Sequence, residues 1–140
     1  MSDKSRFVFD ANAIISAALF KGSTPDQALT WALGHGQILI SRESIIELQE
    51  VFARPKFDRY LIQEERDSFL AKLIQLATTV EVSQLVDVCR DPRDDKYLAL
   101  AITGHASHII SGDADLLVLE SFEGIPILSP AEFLALQHGS

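Results

Sequence analysis

The stretch RFVFDANAII, residues 6–15, decides how the fold of this chain is interpreted. A strand-like apolar run, Phe7 to Phe9, stops at Asp10, and Asn12 follows before a second apolar run begins. Burying polar groups costs free energy unless they find hydrogen-bonding or ionic partners. Asp10 and Asn12 therefore either close a turn or belong to a site at the edge of a sheet.

The overall composition is that of a globular protein. Hydrophobic residues make up 47% of the 140 positions and charged residues 23%, and a chain of this length fits one domain with a substantial core. The first residues lack the basic region and apolar core of a signal peptide, and no window approaches the ~18 apolar residues of a membrane span. Cys89 is the only cysteine, which excludes an internal disulfide. We therefore expect a single domain over residues 1–140 that is cytoplasmic and has no membrane segment.

Net charge limits the ways in which this chain could bind nucleic acid. The sequence has 12 Lys and Arg against 20 Asp and Glu, a net charge of −8. A protein that held nucleic acid by charge alone would be basic. Either the acidic balance serves only solubility, or cations or a local basic patch offset the repulsion of phosphate.

Apolar runs alternate with helical segments along the chain. The runs are near-continuously apolar, as in parallel strands covered on both faces; they span residues 6–9, 37–40, 78–82, 108–110 and 125–128. The helical segments span residues 25–33, 42–53, 64–77 and 94–104, with a last helix starting at Ser129-Pro130. This alternation predicts a three-layer α/β/α domain with a mostly parallel central sheet of about five strands.

Local signals place several helix ends. Thr24 and Ser41 are predicted N-caps, and Pro25 suits the first position of a helix. Pro55 interrupts a helical pattern, so two helices are expected to meet there. The result is a helical arm between the second and third strands, and its sequence is locally basic.

Acidic residues follow the predicted strands at three separate places. Asp10 follows the first run, Asp94 and Asp95 open the helix after the loop VCRDPR, and Asp113 and Asp115 follow the run HIIS. Sites in open α/β sheets form beyond the carboxyl ends of the strands. Each acid alone could be an ordinary helix cap, but together they would bring several carboxylates to one edge of the sheet.

Clustered carboxylates need a counter-ion. Two unit charges about 4 Å apart repel by ~4 kcal/mol at an effective dielectric near 20. A divalent cation reverses the sign of that interaction, and all-oxygen ligands suit Mg²⁺ or Mn²⁺. The four histidines show no metal-binding spacing, which argues against zinc. Glu47 differs from the other acids because it lies inside a helix, close to its apolar side.

The order of these motifs resembles the PIN-domain family of metal-dependent ribonucleases. The motifs are VFDAN, SRESIIELQEV, DPRDDKYLALA and SGDADLL. The resemblance extends over essentially the whole chain and is strongest to the VapC-like toxins of prokaryotic toxin–antitoxin pairs. It implies a PIN-like fold for the predicted three-layer domain.

The resemblance also assigns roles to individual residues. It implies four catalytic acids, Asp10, Glu47, Asp94 and Asp113, and a set of metal ligands drawn from Asp10, Asp94, Asp95, Asp113 and Asp115. The third acid is either Asp94 or Asp95, and the spacing to Leu98 and Ala101 on one helix face favours Asp94. Asn12 would position Asp10 or a metal-bound water, and Ser111 would support the site before Asp113.

The implied activity is hydrolysis of RNA phosphodiester bonds with Mg²⁺ or Mn²⁺, and the implied partners are RNA, an antitoxin protein and a second copy of the chain. On the arm, Arg54, Lys56, Arg59 and Arg66 either contact phosphates or are plain surface charges, and Phe57 and Tyr60 are interpreted as core anchors. The alternative is a catalytically silent PIN-like module that binds protein or RNA, in which the acids only cap helices.

Overall fold

A six-stranded sheet forms the centre of the computed structural model, which describes residues 5–83 and 85–138. The strands lie in the order β3-β2-β1-β4-β6-β5. Their bounds are β1 Ser5–Phe9, β2 Gly36–Ile40, β3 Thr78–Thr79, β4 His108–Ile110, β5 Ser121–Phe122 and β6 Ile125–Leu128.

Five of the six strands are parallel, as the sequence predicts. β1 lies between β2 and β4, with Phe7 opposite both Ile38 and His108 and Phe9 opposite Ile110. Phe7, Val8 and Phe9 are all buried, because helices cover both faces of the sheet. The carboxyl ends of β1, β2, β4 and β6 therefore lie at one edge.

In the part of the chain that the structure describes, seven helices flank the sheet in a three-layer arrangement, which confirms the predicted fold class. Their bounds are α1 Ala11–Leu19, α2 Thr24–His35, α3 Arg42–Phe52, α4 Gln63–Leu76, α5 Asp95–Thr103, α6 Ala114–Leu117 and α7 Pro130–His138. An aromatic cluster ties α2 and α7 to β1, with the ring of Phe7 5.3 Å from Phe133 and 6.1 Å from Trp31. No helix in the described part of the chain has the length and apolarity that a membrane crossing needs.

Several local features differ from the sequence prediction. α1 was not predicted, because its residues read as a plain apolar run after Asp10. The N-cap of α2 is Ser23 rather than Thr24, since the Ser23 hydroxyl accepts the backbone N–H of Asp26. β3 ends at Thr79 instead of continuing to residue 82. The structure confirms Ser41 as an N-cap, where it forms a reciprocal capping box with Ser44.

The strand β5, at one edge of the sheet, was also not predicted. Phe122 pairs with Ile125 in the antiparallel register with β6, and Glu123 and Gly124 connect them. Both connecting residues have positive φ, 48° and 82°, as a two-residue type I′ hairpin requires. A strand of only two residues carries no readable periodicity, so only its turn could have revealed it.

The predicted arm is present, but one of its cations is internal. α3 ends at Phe52 before a 3₁₀ turn, Pro55–Arg59, and α4 follows. The Arg66 side chain is fully buried and donates to the Phe52 carbonyl at 2.7 Å, to Asp58 Oδ1 at 3.0 Å and to the Leu61 carbonyl. The prediction that Arg66 could contact phosphates is therefore wrong; Arg66 fixes the arm to the end of α3.

Candidate metal centre

The predicted catalytic acids meet in one cleft at the carboxyl edge of the sheet. Its volume is about 520 Å³, and it is lined by Asp10, Glu47, Asp94 and Asp113 together with Asn12 and Tyr97. The four acids come from the end of β1, from α3, from the start of α5 and from the loop after β4. The sheet and its crossovers thus bring together residues that lie up to 103 positions apart in the chain.

Asp10 is held at the point where β1 gives way to α1. Its backbone N–H donates to the carbonyl of Ile110 at 3.1 Å, which extends the β1–β4 ladder by one residue. The side chain is the N-cap of α1: Oδ1 accepts the backbone N–H of Ala13 at 2.8 Å. Asp10 is only 2% exposed. Asp10 therefore caps α1 and also lines the cleft.

Ser111 connects the first and fourth acids. Its hydroxyl donates to Oδ2 of Asp10 at 2.5 Å and accepts the backbone N–H of Asp113 at 2.8 Å. Ser111 is fully buried. Asp113 Oδ1 in turn accepts the N–H of Asp115 at 2.9 Å and caps α6. One buried hydroxyl thus fixes Asp10 relative to the loop that carries Asp113.

Asn12 lies in the cleft but does not hold Asp10. The Asp10 carboxylate accepts hydrogen bonds from the Ser111 hydroxyl and the backbone of Ala13, and the backbone of Gly112 also contributes. The Asn12 side chain lies beside Gly112 instead, where a Cβ on Gly112 would be 3.4 Å from Asn12 Cγ. The resemblance implied that Asn12 positions either Asp10 or a metal-bound water. Ser111 donates the side-chain hydrogen bond to Asp10, and the second role of Asn12 stays a prediction.

The structure separates the two neighbouring acids Asp94 and Asp95. Asp94 lines the cleft, whereas Asp95 lines a second, smaller cavity. Asp95 Oδ1 accepts the backbone N–H groups of Cys89 at 2.8 Å and of Val88 at 3.1 Å. Burial alone would raise the pKa of Asp95, but these two donors outweigh it and the pKa is lowered. Asp95 therefore fixes the preceding loop and does not line the cleft that Asp10, Asp94 and Asp113 line.

Asp94 carries an unsatisfied oxygen. Its Oδ2 atom is buried and has no hydrogen-bond partner within residues 5–83 and 85–138. Burial, and then the negative charges of Asp113, Asp91 and Asp10, raise the pKa of Asp94 to about 7. A buried carboxylate oxygen without a donor is costly. The structure thus leaves one inward-facing ligand atom free.

The pKa of Asp10 is also raised, but less than that of Asp94. Burial is the main cause that raises its pKa to about 6, and the charge of Asp113 adds to it. The hydrogen bonds from Ser111, Ala13 and Gly112 oppose the rise. Without a cation, Asp94 is therefore partly protonated near pH 7 and Asp10 partly protonated near pH 6.

Asp91 is a residue of the site that the sequence analysis did not single out. Carboxylate oxygens of Asp91, Asp94 and Asp115 lie within 4.8 Å of one another, and Asp91 also lines the cleft. Asp91 caps the 3₁₀ turn Pro92–Asp94 by accepting the N–H of Arg93. The Asp-Pro pair at the start of that turn is the signal that could have identified it.

Ion pairs neutralise part of this acidic group. The Arg93 guanidinium pairs with Asp91 at 3.0 Å, and Arg90 Nε lies 3.4 Å from Asp115 Oδ1. The guanidinium of Arg93 lowers the pKa of Asp91. Asp94, between them, has no such basic partner in the described residues.

Glu47 is fixed by two residues of α5. The hydroxyl of Tyr97 donates to Glu47 Oε1 and accepts the backbone N–H of Ala11 at 3.1 Å. Lys96 Nζ donates to the same oxygen at 3.2 Å. Burial, and then the neighbouring Glu47 carboxylate, raise the pKa of Tyr97 far above its ordinary value. Tyr97 therefore acts as a neutral donor, a role that its position in a helix of apolar residues did not reveal.

The opposite wall of the cleft is basic and aromatic. Arg54 and Lys56 line it, together with Phe20, Phe57 and Tyr60. Arg59 is exposed and does not line the cleft, but its guanidinium carbon lies 5.4 Å above the Tyr60 ring. The structure contradicts the interpretation of Tyr60 as a core anchor, because 47% of its surface is exposed. Phe57 is half-buried and packs against the core.

These donors fit a hard divalent cation. The acidic residues of the cleft offer only carboxylate oxygens, which Mg²⁺ and Mn²⁺ prefer. The unpartnered Oδ2 of Asp94 lies among them. Asp10, Asp94 and Asp113 bring carboxylates from three separate segments of the chain into one cleft, where they could bind the same cation.

Comparison with known proteins identifies a family. A family model described as PIN domain matches residues 6–115. The matched range includes all four predicted catalytic acids and ends at Asp115. No curated protein sequence matches this chain at a significant level.

Two solved structures are similar to this one. The crystal structure of PAE2754 from Pyrobaculum aerophilum aligns with a TM-score of 0.64 at 16% identity, over 96% of this chain and 90% of that one. The crystal structure of VapBC2 from Rickettsia felis, bound to a DNA fragment from their promoter, aligns with a TM-score of 0.60 at 13% identity, over 87% of this chain and 96% of that one. At these identities the likeness shows a shared fold.

Proposed function

Because the chain belongs to the PIN-domain family, we propose that it is a Mg²⁺- or Mn²⁺-dependent endoribonuclease that hydrolyses RNA phosphodiester bonds. One observation carries this proposal. Four acids from separate parts of the chain line a single cleft, and one buried carboxylate oxygen among them has no partner in the described residues. Acids that only capped helices would not need to converge in this way.

The ligand roles follow from the placement of the acids. Asp10, Asp94 and Asp113 hold the metal directly or through water, and Asp91 and Asp115 extend the acidic group on the side of Asp94. A bound divalent ion would lower the pKa of a water nucleophile and neutralise charge on the scissile phosphate. Asp95 is left out of this set, because its carboxylate is bound to the loop backbone at Val88 and Cys89.

Glu47 is the proposed base that orients the attacking water. Within the described residues, the hydrogen bonds to Glu47 go to Oε1, from Tyr97 and Lys96, so Oε2 is left to accept a proton. The Lys96 ammonium also forms an ion pair with Glu47 at 3.2 Å. Asn12, exposed at the cleft, is placed to hydrogen-bond a water or a substrate oxygen.

The basic wall gives the acidic protein a place to hold a polyanion. Arg54 and Lys56 line the cleft opposite the acids, and Arg59 lies at its margin. These three cations can contact phosphates on either side of the scissile one. They offset locally the net charge of −8.

We further propose that this nuclease is the toxin of a toxin–antitoxin pair that acts in the cytoplasm, with an antitoxin protein as its partner and a homodimer as its functional form. The similarity to a VapBC2 complex supports this proposal. The expected phenotype is growth arrest on expression without the antitoxin, relieved by Asp10→Asn.

The decisive test is metal-dependent cleavage by the purified protein. The wild type should cut single-stranded RNA with Mg²⁺ or Mn²⁺ and not with EDTA, and the double variant Asp10→Asn/Asp113→Asn should be inactive but folded. If the double variant cleaved at the wild-type rate, the assignment would be lost. RNA or antitoxin binding without cleavage under any metal would favour the alternative, a catalytically silent binding module.

A further inference from the structure

We propose that Phe20 and Tyr60 form a platform on which a base of the RNA substrate stacks beside the scissile phosphate. This inference rests on the proposed function, since it assigns a substrate-binding role to two residues of the same cleft. The two rings lie on the basic wall, opposite the acids.

Exposure distinguishes these two rings from the other aromatic side chains of the cleft and core. Phe20 is 46% exposed and Tyr60 47%, whereas Phe7, Phe52 and Phe133 are at most 1% exposed. Phe20 caps the end of α1 and Tyr60 follows the 3₁₀ turn Pro55–Arg59. Two distant segments thus place two exposed aromatic rings side by side in the cleft.

The geometry of the pair suits stacking. The ring centroids are 5.2 Å apart with an interplanar angle of 71°, an edge-to-face arrangement that fixes both rings. Phe20 makes no other aromatic or cation–π contact within the described residues. The pair therefore has an uncovered ring surface that faces the cleft.

Charge complementarity favours a nucleotide as the occupant. Arg54 and Lys56 share the wall with the two rings, and the Arg59 guanidinium lies over Tyr60. Aromatic rings interleaved with cations are the usual surface for single-stranded nucleic acid. Stacking also supplies affinity that does not depend on net charge, which a protein of charge −8 needs.

The distance from the acids places the platform beside the cut rather than at it. α1 separates Asp10 at its start from Phe20 at its end, and its nine residues span about 14 Å at 1.5 Å per residue. The base on the platform therefore belongs to a nucleotide neighbouring the scissile phosphate. Bases in a duplex have both faces covered by their neighbours, so they could not use the platform.

The test measures binding and cleavage separately. Binding is measured with a single-stranded oligoribonucleotide that contains 2-aminopurine, and each platform variant then also carries Asp113→Asn. Cleavage is measured with the same strand without the label, and the platform variants then keep Asp113. Phe20→Leu/Tyr60→Leu should weaken binding and raise KM on the order of tenfold, and it should lose the 2-aminopurine quench. Phe20→Tyr/Tyr60→Phe keeps both rings and should behave as wild type. Ile62→Ala, which alters an exposed side chain that does not line the cleft, is the matched control.

A strand with one abasic nucleotide gives a second measurement that needs no variant. Moving the abasic position along the strand should reveal one site at which the KM of the wild type rises about tenfold. At that site the KM of the leucine double variant should not rise further. Unchanged KM in the leucine variant, or no abasic effect at any position, would overturn the platform and leave the nuclease proposal intact. Conversely, a wild type that cleaves no RNA but shows the ring-dependent quench would retain the platform and remove the nuclease.

Discussion

The hydroxyl of Tyr97 donates a hydrogen bond to Oε1 of Glu47, 50 residues away in the chain, while it accepts the backbone N–H of Ala11. Ala11 directly follows Asp10. One buried hydroxyl therefore sets the position of the proposed base relative to the first metal ligand. Rigid support of this kind is what a catalytic constellation needs.

Tyr97→Phe should lower kcat more than it changes KM. The phenyl ring keeps the packing, but Glu47 loses its buried donor and Ala11 N–H loses its acceptor. We expect kcat to fall on the order of tenfold, and the free energy of unfolding to fall by about 1–3 kcal/mol. Steady-state cleavage and urea unfolding measure the two effects. Tyr60→Phe removes an exposed hydroxyl as a control; a loss of stability with unchanged kcat would make Tyr97 purely structural.

Asp94→Asn and Asp95→Asn should have opposite profiles. Asp94→Asn removes a proposed ligand, so the rise in Tm on adding Mn²⁺ and the cleavage should both be lost. Asp95→Asn weakens the acceptor for Cys89 and Val88 N–H, which should cost about 1 kcal/mol of stability while the Mn²⁺ response remains. Thermal melts with and without Mn²⁺ compare them. The reverse result would make Asp95 the third ligand.

Asp10→Asn should separate capping from metal binding. The Asn side chain keeps an oxygen for Ala13 N–H, so α1 should retain its cap. The metal-free Tm at pH 7 should not fall, because the variant also lacks the buried carboxylate whose pKa the fold raises. The stabilisation by Mg²⁺ or Mn²⁺ should disappear, because the ligand charge is lost. Asp26→Asn, at the start of α2 and remote from the cleft, is the matched control. A full Mn²⁺ response in Asp10→Asn would contradict the ligand role.

The metal-free protein should become less stable as pH rises from about 4 to about 7. The folded state raises the pKa of Asp10 to about 6 and of Asp94 to about 7, from 3.8. It therefore binds more protons than the unfolded state in this window, and the stability present below pH 4 is lost as pH passes the folded-state values. The loss from Asp10 is on the order of 3 kcal/mol.

Urea unfolding in EDTA at several pH values measures this loss. The variant Asp10→Asn/Asp94→Asn has neither carboxyl and should lack the decline between pH 4 and 7. Added Mn²⁺ should stabilise the wild type more at pH 8 than at pH 5, since the ion must displace these protons. A wild type whose metal-free stability rose over the same window would exclude the raised pKa values.

Arg66→Met and Arg54→Gln should divide structure from substrate binding. Arg66→Met leaves the carbonyls of Phe52 and Leu61 without their donors, and the loss of such a buried cation costs about 3–5 kcal/mol. Arg54 is exposed in the cleft, so Arg54→Gln should keep the stability and weaken RNA binding. Urea unfolding and RNA titration test the pair. Normal stability in Arg66→Met would remove the proposed anchor of the arm.

The fold was predictable because each central strand contains a short apolar run that is followed by a polar signal. Residues 108–110 and 125–128 were predicted with the bounds that the structure shows. α1 was missed because its sequence, ANAIISAAL, is apolar on nearly every side and has no helical stripe to recognise. β5 was missed because its two residues are too few to show a period.

The sequence predicted the four acids that line the cleft together, but it did not predict the hydrogen bonds that hold them in place. Chain order placed Asp10, Asp94 and Asp113 at strand ends, where the parallel sheet brings them together. Ser111 was predicted as a supporting residue, but its hydrogen bond to Asp10 and the role of Tyr97 depend on side chains that meet only after folding. Arg66 was misjudged for the same reason, since a basic residue in a basic segment reads as exposed until its carbonyl partners are known.

Both margins of the sheet are very short. β3 at one margin and β5 at the other each contain two residues, and both residues of β3 are exposed. Such strands offer an incoming polypeptide few free backbone donors and acceptors, which protects against edge-to-edge pairing of sheets and fibril formation. Any association of two copies would consequently rely on matching side-chain surfaces, and substitutions on helix faces rather than on strands would disrupt it.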